Sequence, residues 1–387
     1  MLTFAIPTWN RAAHVERCVR SIASQVQPGM EVRILIGDDA STDDTPSAIG
    51  HLMDEFHFIT TYRNAERTDY AAAFKTLFTR PEVADAEWVW TFGDDDLLEP
   101  GALQFILTQL AKADDECFFH VAEATRAGTK GAAYSGTLFE LCCTFGWIET
   151  TGFITGNIVR GTYLHAAGSS HLWPHYARSA FAQSCALLEV LHDKPALLLD
   201  LPLVRSQENH QSEETMKRWA ADRIAERYTY LAECLQLLYS AKILTRKVPK
   251  KFFRYLVYHL WDRYITFFVS DYVNHKKLWP PEAWARVKAM ADFLADEGEA
   301  ALVRNSVNAC QAFLMTHAVG QNWLDSLVAQ TLNIATQHNQ EFYPYGYAEK
   351  GTGAPTVGDI GPNPAPTSEP PSAPASAESC TDQSRTP

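Results

Sequence analysis

The sequence predicts an α/β protein with a mostly parallel β-sheet covered by helices on both faces, followed by a helical subdomain and a disordered tail. In the first 125 residues, short apolar patterns alternate with helical patterns, and such alternation is typical of a parallel sheet between two helix layers. Residues 212–345 have almost wholly helical patterns. Residues 350–387 are rich in proline, serine, alanine and threonine. The chain therefore divides into an α/β domain, a helical subdomain and a tail.

The first half of the α/β domain, residues 1–125, contains five predicted strands, each a short apolar or β-branched run. These strands are predicted at 2–6, 31–36, 57–62, 87–92 and 117–121. Between them, apolar residues recur at a spacing of three or four, which is typical of helices with one buried face. These helices are predicted at 15–26, 43–56, 70–78 and 101–111.

The second half of the α/β domain, residues 126–211, has a less regular pattern. A helix is predicted at 138–147, and strands at 152–159 and 196–204 enclose a helix at 176–191. In the helical subdomain, the aromatic stretch 252–273 has either a core-facing side or a face that contacts a membrane surface peripherally. The tail has no aromatic residue, so it lacks the apolar surface needed to offset the entropy of ordering.

Composition limits the classes of partner. The formal net charge is -13, which argues against a nucleic-acid partner because such proteins present a basic face. An anionic substrate would need a metal ion or a few arginines to neutralise it locally. The eight cysteines form no CxxC pair, and the chain opens on an apolar strand without a basic leader. We therefore expect reduced thiols and a cytoplasmic protein without a transmembrane segment.

The strongest chemical signal is residues 93–96 (Gly-Asp-Asp-Asp), directly after the fourth predicted strand. Ligands bind at the carboxyl ends of strands in open α/β sheets. Three adjacent carboxylates repel one another, and Mg²⁺ or Mn²⁺ relieves that repulsion because both prefer oxygen ligands shared with phosphates. The alternative interpretation is that Asp96 caps the following helix and the other two aspartates are solvated.

Two further polar segments follow predicted strands. Residues 7–11 (Pro-Thr-Trp-Asn-Arg) offer an aromatic ring for stacking and a guanidinium for a carbonyl or phosphate. Residues 37–45 (Gly-Asp-Asp-Ala-Ser-Thr-Asp-Asp-Thr) offer carboxylates for a base or ribose edge. Taken alone, each segment is also explained as a turn with a helix cap.

These segments, in this order and with residues 62–64 (Tyr-Arg-Asn) between them, resemble family 2 glycosyltransferases of the GT-A fold, especially those that build bacterial surface polysaccharides such as O-antigen. The resemblance covers residues 1–125 closely and 126–210 loosely. It implies an inverting transfer from a nucleotide-diphosphate sugar, UDP- or dTDP-linked, to a glycan or lipid-linked glycan, with Mn²⁺ or Mg²⁺ as cofactor.

The resemblance also assigns roles to single residues. Nucleotide-binding roles fall on Pro7, Thr8, Trp9, Arg11, Asp39, Arg63, Asn64 and Asp94. The principal metal ligand is Asp95, and Asp96 follows it as a further ligand or a cap. A late histidine completes the metal site in some members, which makes His210 a candidate ligand, but a solvated loop histidine is the simpler interpretation of His210. The chain has Trp9 where tyrosine is usual, Ala40 where glycine is usual, and Gly93 where many members have an acidic residue.

A general base must accept the proton of the acceptor hydroxyl during inversion. Relatives use an aspartate of a Glu-Asp pair, which this chain lacks. By position His175 replaces it, and histidine has a suitable pKa near neutrality; the alternative is a helix-start histidine in a polar loop. Asp193 is a second candidate. Residues 155–157 (Thr-Gly-Asn) resemble a family segment near the acceptor or the sugar.

Two alternatives from other functional classes stand beside this hypothesis. The absence of the Glu-Asp pair is compatible with a GT-A domain that binds nucleotide or glycan without turnover. A nucleotidyltransferase is the other alternative, but residues 7–11 lack the glycines of a phosphate-binding loop. Dehydrogenase and P-loop hypotheses fail because neither GxGxxG nor GxxxxGK[ST] occurs.

Overall fold

A computed structural model of the chain describes residues 1–123, 132–206, 221–246, 248, 252 and 356–359. Its strands are β1 (Leu2–Thr8), β2 (Val32–Asp38), β3 (Ile59–Arg63), β4 (Trp88–Thr91), β5 (Asp96–Leu98), β6 (Phe118–Glu123), β7 (Ala132–Thr137), β8 (Asn157–Arg160), β9 (Pro195–Ser206) and β10 (Thr356–Asp359). Its helices in the first half are α1 (Ala12–Ala23), α2 (Thr45–Glu55), α3 (Tyr70–Phe78), α4 (Pro81–Ala84) and α5 (Ala102–Leu110). Those that follow are α6 (Leu138–Phe145), α7 (Trp147–Thr151), α8 (Gly161–Gly168), α9 (Trp173–Tyr176), α10 (Ala182–Leu191) and α11 (Ala221–Ser240).

The strands form one sheet in the order β10-β7-β9-β6-β8-β4-β1-β2-β3, with β5 paired to β9. Strand β1 runs parallel to β2 and β4, and β2 runs parallel to β3. Strand β8 lies antiparallel between β4 and β6, while β6 and β9 are parallel to each other. Among the described strands only β5, β7 and β8 oppose the common direction. The predicted mostly parallel sheet is therefore confirmed.

Helices cover both faces of the sheet. Alternate residues of β1 point to opposite sides, because successive side chains of a strand alternate. Phe4 and Ile6 pack in a core cluster with α1, α2 and α5. Ala5 packs in a second cluster with α3 and α6–α11. Each residue of β1 from Leu2 to Ile6 is buried, which explains the continuous apolar run in the sequence.

Three elements differ from the expected pattern. Strand β5 arises inside the aspartate-rich segment, where it pairs with Val204–Ser206 at the end of β9. Strand β7 lies before the helix predicted at 138–147, where the sequence predicts no strand, and it pairs with the start of β9. The predicted helix at 176–191 begins later in the structure, because α9 ends at Tyr176 and α10 spans Ala182–Leu191. In each case pairing or packing with a distant segment, rather than local periodicity, sets the element.

Helix α11 is the long described part of the predicted helical subdomain. Its Leu231, Cys234, Leu235 and Leu238 are buried in the same cluster as α9 and α10. No helix within the described residues is long and apolar enough to cross a membrane. The aromatic stretch 252–273 lies outside the described residues apart from Phe252. The limits of this subdomain therefore stay a prediction.

The predicted disordered tail contains one described segment, β10. It pairs antiparallel with β7 through Thr356 and Gly358–Asp359, so in these four residues the structure has a strand where the sequence predicts none. Strand β7 supplies the reason, because a strand at a sheet edge presents unpaired backbone groups that a short extended segment can pair with. The rest of residues 350–387 lies outside the described residues.

Candidate active site

The carboxyl ends of β1, β2 and β4 bring the three polar segments of the sequence to one edge of the sheet. Thr8 lies opposite Asp38 in the β1–β2 register. The backbone N–H of Phe92 donates to the carbonyl of Ala5 at 3.0 Å, which extends β4 alongside β1. The residues that follow these strands therefore face one another. We call residues 93–96 the aspartate loop.

Arg11 lies between two carboxylates of the aspartate loop. Its Nη1 donates to Asp94 Oδ1 and to Asp95 Oδ2, both at 2.8 Å. Thr8 Oγ1 donates to the other Asp94 oxygen at 2.7 Å. The Asp94 side chain is 8% exposed and that of Asp95 is 34% exposed. Asp94 is thus enclosed by protein donors, whereas Asp95 faces solvent.

The electrostatics of this loop follow from burial. Burial is the largest effect on Asp94 and raises its pKa to about 6, with the neighbouring Asp95 charge adding to the rise and Arg11 and Thr8 opposing it. Burial, together with the three aspartates, also raises the pKa of the Cys18 thiol, which lies beneath the loop with its Sγ 3.5 Å from the Gly93 carbonyl. A buried carboxylate requires a partner of opposite charge, so this corner of the protein favours cations.

Asp96 is turned into the protein. It belongs to β5 and is 5% exposed, and the Thr155 hydroxyl donates to its carboxylate. The same hydroxyl accepts from the Gly93 backbone N–H at 2.8 Å. Helix α5 begins after Gly101 without a side-chain cap, so the alternative that Asp96 caps this helix is wrong. Thr155 instead links the second half of the α/β domain to the aspartate loop.

The aspartate loop leaves no room for a side chain at Gly93. A Cβ at this position would lie 2.9 Å from Asp96 Oδ2, 3.0 Å from Asp95 Oδ1 and 3.2 Å from Thr155 Oγ1. Any side chain here would displace the carboxylates. The packing gives a physical reason for glycine at a position where many members of the resembled family carry an acidic residue.

The loop after β2 is held by its own carboxylates. Asp39 accepts from Asn64 Nδ2 at 2.7 Å, from Thr68 Oγ1 at 2.8 Å and from the Thr68 backbone N–H at 3.1 Å. Asp38 lies 3.0 Å from Arg63 Nη1. The structure therefore brings Asp39, Asn64 and Arg63 together as predicted, with Thr68 as a partner that the sequence did not suggest.

Ala40 explains why glycine is usual in this turn. Its φ is 57°, in the left-handed region that costs an L-residue about 1–2 kcal/mol. The turn nevertheless closes, because Ser41 N donates to Asp38 Oδ1 at 2.9 Å and Asn10 N donates to Ser41 Oγ at 2.9 Å. These bonds join the first two polar segments.

One face of the half-buried Trp9 ring is already covered by a cation. The guanidinium carbon of Arg67 lies 3.3 Å from the centroid of the Trp9 ring, a cation–π arrangement. The sequence predicted Trp9 as a stacking surface but not Arg67, whose only signal was its place between β3 and α3. Pro7, at the same strand end, pairs with Gly37 of β2.

Asp193 does not reach this edge. It precedes β9, whose first residue Pro195 accepts from the Cys117 N–H at 2.8 Å, at the amino end of β6. Strands β6 and β9 are parallel, so Asp193 lies at the amino ends of the strands while Asp94 lies beyond the carboxyl ends. Asp193 instead forms a surface ion pair with Lys194 at 3.2 Å. It is not retained as a candidate base.

His175 is exposed on α9. It lines a groove between α9 and α11 together with Arg178, Tyr230 and Glu233. Of the described residues that line this groove, none belongs to the aspartate loop. His210, the candidate third metal ligand, lies outside the described residues. The roles of His175 and His210 thus stay predictions.

The first part of the chain is similar in sequence to known glycosyltransferases. Residues 3–158 match the family model described as "Glycosyl transferase family 2". The abequosyltransferase RfbV of Salmonella typhimurium is 29% identical over 115 residues, which cover 30% of this chain and 34% of that protein. The GalNAc(5)-diNAcBac-PP-undecaprenol beta-1,3-glucosyltransferase of Campylobacter jejuni is 32% identical over 120 residues, covering 31% and 36%. The chain thus spans about a third of the length of these relatives.

Solved structures share the fold. The mannosyltransferase PcManGT from Pyrobaculum calidifontis, in complex with GDP-Man and Mn²⁺, superposes with a TM-score of 0.52 at 15% identity, covering 89% of this chain and 84% of that one. TarS of S. aureus also has a TM-score of 0.52 at 15% identity, covering 80% and 52%. These likenesses confirm the predicted GT-A fold.

Replacing Thr155 tests the link between the two halves of the domain. Thr155→Val should lower the free energy of unfolding by about 2–4 kcal/mol, because it leaves the buried Asp96 carboxylate and the Gly93 N–H without their partner. Thr155→Ser should retain stability within about 1 kcal/mol, since it keeps the hydroxyl. Urea unfolding measures both.

A matched control is available for this substitution. The Thr3 hydroxyl is equally buried and has no hydrogen-bond partner within the described part of the chain. Thr3→Val should therefore be neutral or slightly stabilising. Equal effects of Thr155→Val and Thr3→Val would contradict a structural role for the Thr155 hydroxyl.

Three observations agree on the family of this region. The strand-end segments that resemble family 2 glycosyltransferases meet at one edge of the sheet, the sheet has the GT-A arrangement, and the family model covers the same residues. Residues 3–158 are therefore similar to a family 2 glycosyltransferase domain in sequence and have its GT-A fold.

Proposed function

We propose that this chain is an inverting glycosyltransferase that moves a sugar from a nucleotide-diphosphate donor to a glycan or lipid-linked glycan in bacterial surface polysaccharide synthesis. The observation that carries this proposal is the aspartate loop beside Thr8, Trp9 and Arg11, at the carboxyl edge of a family 2 domain. The relatives named above are sugar transferases by name. An undecaprenol diphosphate appears in the name of one of them, which supports a lipid-linked acceptor.

The residues present fit a divalent cation. Within the described residues, no group of three or more His, Cys, Asp or Glu side chains forms a ready metal site. Mg²⁺ and Mn²⁺ are, however, usually held by one or two carboxylates together with substrate phosphates, and Asp94 and Asp95 supply this donor set. Asp95, the more exposed, would be the principal ligand. A bound cation would neutralise the charge of the departing nucleoside diphosphate.

The nucleotide would lie over the ends of β1 and β2. The Trp9 ring offers a stacking face for a base. Among the described contacts, Asp39 Oδ2 accepts one hydrogen bond, from the Thr68 N–H at 3.1 Å. That oxygen can accept from the N–H of a uracil or thymine edge, which favours a UDP- or dTDP-linked donor. Arg63 and Asn64 belong to the same loop network and fix its shape.

The acceptor hydroxyl must lose its proton as the donor bond breaks. We assign this step to His175, because a ring nitrogen of an imidazole can accept a proton and release it again. The residue is exposed on α9 and can meet a substrate. The six described cysteines are free, which supports transfer in the cytoplasm, with peripheral contact at the membrane for a lipid-linked acceptor.

The function is tested by nucleotide release. The full chain, incubated with a panel of UDP- and dTDP-sugars, Mn²⁺ and a lipid-linked acceptor, should release nucleoside diphosphate. Asp95→Asn should lower this rate by about 100-fold or more, because it removes the charge that would hold the cation. Asp193→Asn, the same change at the opposite edge of the sheet, should leave the rate unchanged. Donor binding without turnover would indicate a binding protein instead, and equal rates in both variants would contradict the metal assignment.

His175 is tested separately from donor binding. His175→Ala should lower turnover by about 10²–10⁴-fold, the usual contribution of a general base, while donor affinity measured by calorimetry stays the same. His171→Ala provides the control, because His171 is also exposed and lies four residues earlier in the same region. Normal turnover in His175→Ala would remove this residue from the mechanism.

A further inference from the structure

Arg11 occupies the position where a cation would meet the aspartate loop. A single guanidinium nitrogen, Nη1, donates at 2.8 Å to both Asp94 and Asp95. The Arg11 side chain is 28% exposed. Its ion pairs are therefore partly shielded from water, and one side of the guanidinium remains accessible to a ligand. The negative loop is therefore neutralised in part by the protein itself.

The backbone of Arg11 is held by hydrogen bonds that do not involve its guanidinium. The Arg11 backbone N–H donates to Thr45 Oγ1 at 2.9 Å, and its carbonyl accepts from Val15 N at 3.0 Å. These bonds anchor the residue at the start of α1. Beyond the backbone, the described contacts of the guanidinium are those with Asp94 and Asp95, so rotation of the side chain alone changes its partners.

The two carboxylates hold Arg11 unequally. Asp94 is buried and also accepts from Thr8, so it cannot turn toward solvent without losing that bond. Asp95 is the exposed member of the pair and has the freedom to change partner. Like charges that share one carboxylate repel each other, and a divalent cation on Asp95 would therefore weaken the bond between Arg11 and Asp95.

We propose that Arg11 is the resident counter-cation of the aspartate loop: it pairs with Asp95 when no metal is bound and transfers to the nucleotide's diphosphate when a divalent cation takes Asp95. This inference rests on the proposed function and extends it. The guanidinium is suited to both partners, because its planar fork binds carboxylate and phosphate alike. It makes binding of the cation and of the diphosphate mutually dependent, since the diphosphate supplies the anion that Arg11 needs after leaving Asp95.

The exchange predicts opposite effects of one substitution. Arg11→Gln removes the competing charge and keeps much of the side-chain length, so Mn²⁺ without nucleotide should bind at least about threefold more tightly. The same variant should bind nucleoside diphosphate at saturating Mn²⁺ about 10-fold or more weakly, because a charge-assisted hydrogen bond to phosphate is lost. A residue that merely supports the loop would weaken both ligands together.

The measurement uses the full chain and two probes. Mn²⁺ alone is titrated by following the electron paramagnetic resonance signal of the free ion, and UDP or dTDP, whichever the unmodified chain binds more tightly, is titrated by calorimetry. Arg20→Gln is the matched control, because Arg20 lies on the same helix and pairs with Glu16 and Glu55 away from the loop. It loses the same charge and should change neither affinity.

Arg11→Lys provides a second variant that retains the charge. Arg11→Lys should bind Mn²⁺ with the affinity of the unmodified chain, whereas Arg11→Gln should bind it more tightly. Unchanged or weaker Mn²⁺ binding in Arg11→Gln, or no Mn²⁺ binding in any variant, would overturn the proposal. Neither titration measures sugar transfer, which the nucleotide-release assay reports separately. Opposite changes in Mn²⁺ and nucleotide affinity without transfer activity would overturn only the proposed function. Transfer activity without those opposite changes would overturn only the proposed exchange of Arg11.

Discussion

The ion pair of Arg11 with Asp94 and Asp95 is the interaction on which the rest of the site depends. Parallel strands end at one edge of a sheet, and this chain places three carboxylates there on one loop. Burying such groups without a cation is costly. Arg11 meets this requirement from the neighbouring strand end. One guanidinium does not neutralise three carboxylates, so the loop keeps a net negative charge that a divalent ion can balance.

The loop is also fixed from the other half of the domain. Thr155 donates to Asp96 and accepts from Gly93, and the Trp90 indole donates to the Thr155 carbonyl at 2.7 Å. These contacts connect the end of β4 with the start of β8, which lie side by side in the sheet. The second half of the α/β domain thereby helps to orient the aspartate loop, and the loop's geometry depends on the whole α/β domain.

The sequence predicted the parts of this site that depend on strand ends. Alternating patterns located β1, β2 and β4, and the polar residues after them meet as expected. What the sequence missed depends on long-range contacts. Strand β5 forms because β9 returns beside it, and the partners of Asp39 and Trp9, Thr68 and Arg67, come from a loop without a motif. Asp193 was misplaced because its position after α10 did not reveal which edge of the sheet it joins.

The central claim is that a divalent cation binds Asp95 and a diphosphate at this edge of the sheet. A crystal grown with Mn²⁺ and UDP, measured at the manganese absorption edge, tests it most directly. The account predicts an anomalous peak about 2.1 Å from an Asp95 oxygen, bridging to the diphosphate, with Arg11 turned from Asp95 to a phosphate oxygen. Bound nucleotide with no manganese peak near Asp95 would contradict it.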